Sequence, residues 1–197
     1  MMRIGGLLLA AGQSRRFGSD KLGALLAGEP VARRSFSALA AAGMRPVVVV
    51  TADPGMAAAL FGADARLAVN PCPEKGLSSS LRIGLRALEA EVEAVVVALA
   101  DMPLVGAGTI ARLAAAIQPE DYAVAPLFGE VQGNPVVLGR VAMAEAASLS
   151  GDRGARGLLA ANAARVRLVA VDDPGVVQDI DTPEDLAAAL TGRAFRE

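Results

Sequence analysis

Arg45-Pro46-Val47-Val48-Val49-Val50-Thr51 is dominated by an unbroken run of β-branched residues. A strand with one face in water alternates polar and apolar side chains. A run without alternation marks a strand covered on both faces, as in a parallel sheet. Two further apolar runs of strand length occupy residues 4–11 and 92–100, the latter the most buried in character. Between such runs lie Ala- and Leu-rich stretches. Residues 31–42 read as a helix closed by Gly43, 55–61 as a short helix, and 109–117 as a helix with Pro119 beyond its end. Residues 78–90 are amphipathic, with Leu81, Leu85 and Leu88 at helical spacing among Arg82, Arg86 and Glu89. Strands are predicted over 66–70, 122–126, 135–138 and 166–171, the polar connection 128–134 joining the second to the third. Residues 142–148, 154–163 and 183–190 read as helices. Strand–helix alternation predicts an α/β fold with a mainly parallel central sheet. No repeat, low-complexity tract or linker divides the chain, so residues 1–197 are expected to form one domain.

Composition narrows the chemistry. Of 197 residues 53% are hydrophobic and 20% charged, enough for a buried core, and the net charge is −2. That balance argues against a general grip on nucleic acid, which needs a basic surface. There is no His and a single Cys, Cys72. Zinc sites of His and Cys, Ser-His-Asp triads and Cys-His dyads are therefore excluded. A lone Cys also excludes an intrachain disulfide, which fits a reducing cytoplasm. Mean hydropathy is +0.44, yet the longest apolar runs reach about half of the ~20 residues that a spanning helix needs. The N-terminus is read as a buried strand rather than a signal peptide, because its short apolar run leads into Gln13-Ser14-Arg15-Arg16. Chemistry must rest on carboxylates, Lys, Arg, hydroxyls, backbone amides and a hard cation.

Ligands of such sheets collect at the carboxyl ends of the strands. The first strand ends in Leu9-Ala10-Ala11-Gly12-Gln13-Ser14-Arg15-Arg16-Phe17-Gly18-Ser19-Asp20-Lys21. Small residues at Ala10, Ala11 and Gly12 allow close approach of a ligand, and Arg15, Arg16 and Lys21 bring positive charge beside backbone amides. This is phosphate-binding logic, without the Gly-Lys-Ser/Thr of a Walker loop or the Gly-x-Gly-x-x-Gly of a dinucleotide site. The 92–100 run ends in Asp101-Met102-Pro103. A carboxylate there needs a cation, and Mg²⁺ uses only one or two protein carboxylates besides water and phosphate. The alternative is an ordinary cap of the next helix. In Gln178-Asp179-Ile180-Asp181-Thr182-Pro183-Glu184-Asp185, the last four residues are helix-start grammar. Asp179 and Asp181 exceed it, and either could share a metal with Asp101. Gly76-Leu77-Ser78-Ser79-Ser80 offers hydroxyls to a base or ribose beyond what capping needs. Gly151-Asp152-Arg153-Gly154-Ala155-Arg156 has a glycine-rich turn with two arginines, suited to a second anion or to a plain surface loop.

Together with Gly133-Asn134-Pro135, these motifs resemble the MobA-like nucleotidyltransferase family, closest to its molybdenum-cofactor cytidylyltransferase branch, in the right order along nearly the whole chain. The resemblance implies a Rossmann-like three-layer fold of the nucleotide-diphospho-sugar transferase type. It implies transfer of a nucleotidyl group, here CMP from CTP, to a phosphomonoester acceptor such as molybdopterin, with Mg²⁺ as cofactor, pyrophosphate as leaving group and a molybdoenzyme as eventual partner. Lys21, Arg16 and Asp101 would be catalytic, with Asp101 and Asp181 on the metal. Leu9, Ala10, Ala11, Gly12, Ser14, Arg15, Gly18, Lys21, Asn70, Gly76, Ser78 and Ser79 would bind nucleotide. Two departures stand out: Phe17, where family loops usually carry Met, and Asn134, where relatives often have His.

The missing histidine agrees with this chemistry. A phosphomonoester has a second pKa of about 6 and is largely a dianion at pH 7. Such a nucleophile needs alignment and charge neutralisation rather than a base. Isoprenoid-pathway cytidylyltransferases and sugar-phosphate nucleotidyltransferases usually carry Pro just before the Lys, where Asp20 stands here. A non-catalytic carrier of the pterin cofactor is another alternative. A nicotinamide-dependent oxidoreductase fails on the glycine spacing of the first loop.

Overall fold

The protein is described from a computed structural model, which covers residues 2–12, 17, 21–88, 92–148 and 154–192. The chain opens with β1 (Ile4–Ala10), a short hairpin of β2 (Leu25–Leu26) and β3 (Glu29–Pro30), and α1 (Val31–Ala41). Next come β4 (Val47–Thr51), α2 (Pro54–Phe61), β5 (Arg66–Val69), α3 (Leu77–Leu88), β6 (Ala94–Leu99) and α4 (Ala107–Ala116). The third stretch holds β7 (Ala123–Phe128), β8 (Val131–Gln132), β9 (Val136–Gly139) and α5 (Arg140–Ala146). α6 (Gly154–Ala161), β10 (Val166–Ala170) and α7 (Pro183–Thr191) complete the described strands and α-helices.

The main sheet runs β10-β7-β9-β6-β1-β4-β5, with β8 paired to β7. Strands β6, β1, β4 and β5 are mutually parallel, as are β7 and β10, while β9 is antiparallel to both its neighbours. The β-branched run that suggested two covered faces is β4. Val48 and Val50 point to one helical layer, and Val47 and Val49 to the other. β1 divides likewise: Leu8 and Ala10 pack with Phe36 and Leu39 of α1 and Leu113 of α4, whereas Leu7 and Leu9 pack with Leu81 and Leu85 of α3 and Leu158 of α6. A period of two thus produces three layers from one strand.

Two hairpins depart from the sequence expectation. Residues 128–134 are not merely a polar connection, because Phe128 pairs with Val131 around Gly129 and Glu130, with Gly129 at φ +58°. The other is the β2–β3 turn, where Ala27 and Gly28 both have positive φ (52° and 85°). Positive φ at both central residues is the geometry that matches strand twist in a two-residue hairpin.

Candidate active site

Adjacent parallel strands β1 and β6 deliver the central residues. Asp101 follows β6 in a turn closed by Met102 N–H donating to the Leu99 carbonyl. The end of β6 is fixed by Ala100 N–H on the Leu9 carbonyl and by the Ser35 hydroxyl on the Ala100 carbonyl. Asp101 does not cap α4: that helix starts at Ala107, and Asp173 accepts the Gly106 N–H and the Thr109 hydroxyl instead. Lys21 follows the first loop, and its residue is 7% exposed. Its Nζ lies 2.9 Å from Asp101 Oδ2 and 2.8 Å from Asp181 Oδ1. The three groups that sequence placed at separate strand ends and in the C-terminal segment therefore meet on one ammonium.

Asp181 reaches this point by backbone geometry. Ile180 N–H donates to the Asp101 carbonyl at 2.8 Å, and the Ile180 side chain is buried with Leu26 and Val31. With Ile180 turned inward, Asp181 meets Lys21 and Asp179 lines an adjoining cleft. The next residues form the expected helix start of α7. The Thr182 hydroxyl accepts the Asp185 N–H, and the Asp185 carboxylate accepts the N–H groups of Asp181 and Thr182.

The electrostatics follow from this geometry. Burial acts to lower the Lys21 pKa, but the charge of Asp101 and hydrogen bonds to both carboxylates outweigh it, and the value is raised. Asp179 is pushed up by burial first, then by the like charges of Asp181 and Asp101. Burial would raise Asp185 as well, but the N–H and hydroxyl groups of its cap, helped by Lys21, hold it below the ordinary carboxylate value.

The cleft beside this cluster encloses about 680 Å³. Leu9, Val97, Leu99, Leu159 and Val176 form apolar walls, and Gln132, Asn134, Arg156 and Asp179 add polar groups. Leu77 and Val131 line it too and are 43% and 56% exposed. Gly133 shapes its floor: a Cβ there would collide with the Val176 carbonyl, and the neighbouring Asn134 N–H donates to that oxygen at 2.7 Å. The β8 residues of this wall were absent from the sequence-derived set. The cue was present as Phe128-Gly129-Glu130-Val131, a two-residue hairpin with Gly at its first central position.

Other predicted residues fall differently. Leu9, Ala10 and Ala11 are buried at the end of β1, while Gly12 faces open space, with no described atom within 4 Å of where a Cβ would stand. Gly76 sits at φ +81°, a left-handed conformation that glycine adopts without strain, and α3 starts directly after it. Ser79 and Ser80 do not leave their hydroxyls free. The Asn70 amide donates to Ser79 Oγ at 2.7 Å and to Ser80 Oγ at 2.9 Å, and Ser79 Oγ donates to the Cys72 carbonyl. Asn70 is 1% exposed, and Ser78 is buried as well. The physical reason is that a buried amide must find partners, and the first turn of α3 supplies them. Ser14, Arg15, Arg16, Gly18 and Arg153 lie outside the described residues.

Two carboxylates converging on one cation are hard oxygen donors, and this donor set fits a small divalent ion that completes its shell with phosphate and water. Among the described residues no group of three or more Asp, Glu or Cys side chains is placed to hold a metal ion unaided. No described helix is long and apolar enough to cross a membrane.

The family model of the MobA-like NTP transferase domain matches residues 6–168. The chain belongs to this family. It is thereby a nucleotidyltransferase that takes a nucleoside triphosphate. The Bacillus subtilis purine catabolism protein PucB is 31% identical over 191 residues, covering 91% of this chain and 92% of that protein. A probable molybdenum cofactor guanylyltransferase of Haloferax mediterranei is 37% identical over 136 residues, 68% of this chain and 57% of the relative. Among solved structures, Rv0371c of Mycobacterium tuberculosis superposes with a TM-score of 0.84 at 26% identity, covering 96% of this chain and 98% of that one. A manganese complex of Rv0371c superposes at 0.79. For the family, the mainly parallel sheet with helices on both faces is the expected nucleotidyltransferase fold.

Proposed function

We propose that this nucleotidyltransferase transfers CMP from CTP to the phosphate of a pterin acceptor of the molybdopterin kind, releasing pyrophosphate, in a reducing cytoplasm. The observation that carries the reading is the meeting of Lys21, Asp101 and Asp181 beside an apolar cleft at the carboxyl ends of the strands. An acceptor phosphate oxygen attacks the α-phosphorus, and the bond from that phosphorus to the oxygen bridging the β-phosphorus breaks. Pyrophosphate leaves with that electron pair. Asp101 and Asp181 would hold Mg²⁺, which when bound offsets phosphate charge and helps to align the triphosphate. Lys21 offers an ammonium to the phosphates, and Arg16 would add a second cation from the first loop. Apolar walls around Leu99 and Leu159 suit a flat heterocycle, and Asn134 and Asp179 offer an acceptor and donor edge for its ring nitrogens. Arg156, opening α6, is the cation at hand for the acceptor's phosphate. The choice of CTP rests on Ala11, whose family counterpart tends to be Ala in CTP-using members and Gly in GTP-using members. The name of the Haloferax relative favours GTP as the second reading.

The test is pyrophosphate release with each of the four NTPs against a panel of phosphomonoester acceptors that includes molybdopterin, with and without Mg²⁺. Release that requires CTP, Mg²⁺ and the pterin together is the expected result. Release with a sugar phosphate and not the pterin would reassign the acceptor, and none with any acceptor would leave a carrier role.

A further inference from the structure

We propose that Lys21 is the resting occupant of the divalent-cation site, and that its ammonium must be displaced from Asp101 and Asp181 before metal enters, so that metal and triphosphate bind well only together. This rests on the nucleotidyltransferase reading above.

The geometry carries the argument. One nitrogen lies within hydrogen-bond distance of both carboxylates. The Lys21 side chain is 9% exposed, whereas those of Asp101 and Asp181 are 27% and 38% exposed. The ammonium is thus the covered member of the cluster, and the carboxylates form its accessible side. A divalent ion arriving alone meets donors already committed to a cation at contact distance. To take both, it must either share them with the ammonium, against strong repulsion in a partly desolvated site, or expel that ammonium with no new anion to receive it.

A triphosphate arriving alone fares no better. Two carboxylates outnumber one ammonium, and Asp179 adds a third carboxyl close enough to feel both charges. Among the described residues of the cluster, the ammonium that would receive the polyanion is already paired with Asp101 and Asp181. When both arrive together the exchange balances. The carboxylates pass to the divalent ion, and the Lys21 ammonium swings from carboxylate to phosphate oxygen with its charge paired at each end of the movement. This is a thermodynamic coupling between two ligands, carried by one side chain. It also keeps an unescorted metal from occupying the site without substrate.

Mn²⁺ is the probe, since its free aqua ion is counted directly by electron paramagnetic resonance without any turnover. The nucleotide-free full chain is titrated as wild type, as Lys21→Met and as the double variant Lys21→Met/Asp101→Asn. Removing the ammonium should tighten Mn²⁺ binding by about tenfold or more, within the usual range of such couplings, and the double variant should lose that gain. Lys21→Gln, a neutral donor of similar reach, carries the same comparison if the methionine variant does not fold by circular dichroism. Equal Mn²⁺ affinity in wild type and the Lys21 variants overturns the proposal, as does tighter binding that survives loss of Asp101. Wild-type pyrophosphate release is measured separately: an active enzyme without the Mn²⁺ difference sinks the exchange alone, and an inactive one with the difference sinks the catalytic reading alone.

Discussion

The main-chain N–H of Ile180 donates to the carbonyl of Asp101 across 2.8 Å, and this bond brings the C-terminal segment to the end of β6. The Ile180 side chain, 2% exposed, anchors it among Leu26, Val31 and Leu104. Site and fold therefore share one support. Ile180→Ala should cost about 2–4 kcal/mol by the usual scale for emptying a buried aliphatic site. It should also lower turnover by roughly 10- to 100-fold as Asp181 loses its placement. Urea unfolding and initial rates check both, and Ile180→Val should recover most of each. A normal unfolding midpoint in the alanine variant would show that the segment is held some other way.

In the proposed reaction, Lys21 and Asp101, in contact at 2.9 Å, would act on the same charge from opposite sides. Lys21→Ala should lower kcat/KM by about 10²-fold or more, the scale for losing a charge-stabilising donor. Asp101→Asn should keep the fold by circular dichroism and lose most of its metal-dependent rate, with Asp181→Asn the milder of the two. Pyrophosphate release measured across a Mg²⁺ titration separates the three variants. Near-normal turnover by Lys21→Ala removes it from catalysis.

Tyr122 allows a titration far from the site. It is the only Tyr, and the chain has no Trp. Its hydroxyl donates to Glu145 Oε2 at 2.6 Å, and the Arg165 guanidinium lies 3.9 Å from the ring centroid. Burial, the Glu145 hydrogen bond and the Glu145 charge lift its pKa from 10.0 to about 12, against the pull of Arg165. The folded chain keeps this proton after an unfolded chain has lost it. Stability from the pair is therefore full below pH 10 and is lost as pH rises toward 12. Tyrosinate absorbance in the near ultraviolet should show this midpoint, and Glu145→Gln should move it down part of the way, since burial remains. A wild-type midpoint at the ordinary value would mean the bond does not persist in solution.

The three-layer fold was legible because β4 and β1 show it locally: a strand without polar alternation has nowhere to put a wet face. The start of α7 was legible for the same reason, since Thr182, Pro183 and Asp185 are all local signals. The site was legible as residue types at strand ends, but not as a constellation. Lys21 and Asp181 stand 160 residues apart, and only the sheet order and the Ile180 anchor bring them together. A hydroxyl at a helix start looks alike in sequence whether it faces a ligand or a buried amide, so the bonds from Asn70 to Ser79 and Ser80 were not legible. Asn70 sits a loop away, and its burial is a tertiary fact. The β2–β3 hairpin left almost no trace, having two-residue strands and an Ala at a position that more often takes Asn or Gly.

Base choice is the remaining prediction, and it turns on one methyl group. Ala11 is 7% exposed directly after β1, where the proposed phosphate-binding loop begins. If the backbone there lies against the nucleobase, the Ala11 methyl group crowds a purine and leaves room for a pyrimidine. A methyl-sized difference of this kind is worth about 1–3 kcal/mol, or roughly 10- to 200-fold. CTP should therefore exceed GTP by at least about tenfold in kcat/KM. Ala11→Gly should narrow the gap by raising GTP use more than it lowers CTP use. The same substitution adds backbone freedom at the end of a strand, costing roughly 0.5–1 kcal/mol of stability, so rates are compared well below the melting temperature of the variant. The measurement is kcat/KM for both nucleotides in wild type and variant. Wild-type preference for GTP would overturn the proposed cytidylyl assignment while leaving the proposed roles of Lys21, Asp101 and Asp181 intact. A CTP preference unchanged in Ala11→Gly would instead move the base contact away from Ala11, to a position such as Asn70 or Ser78.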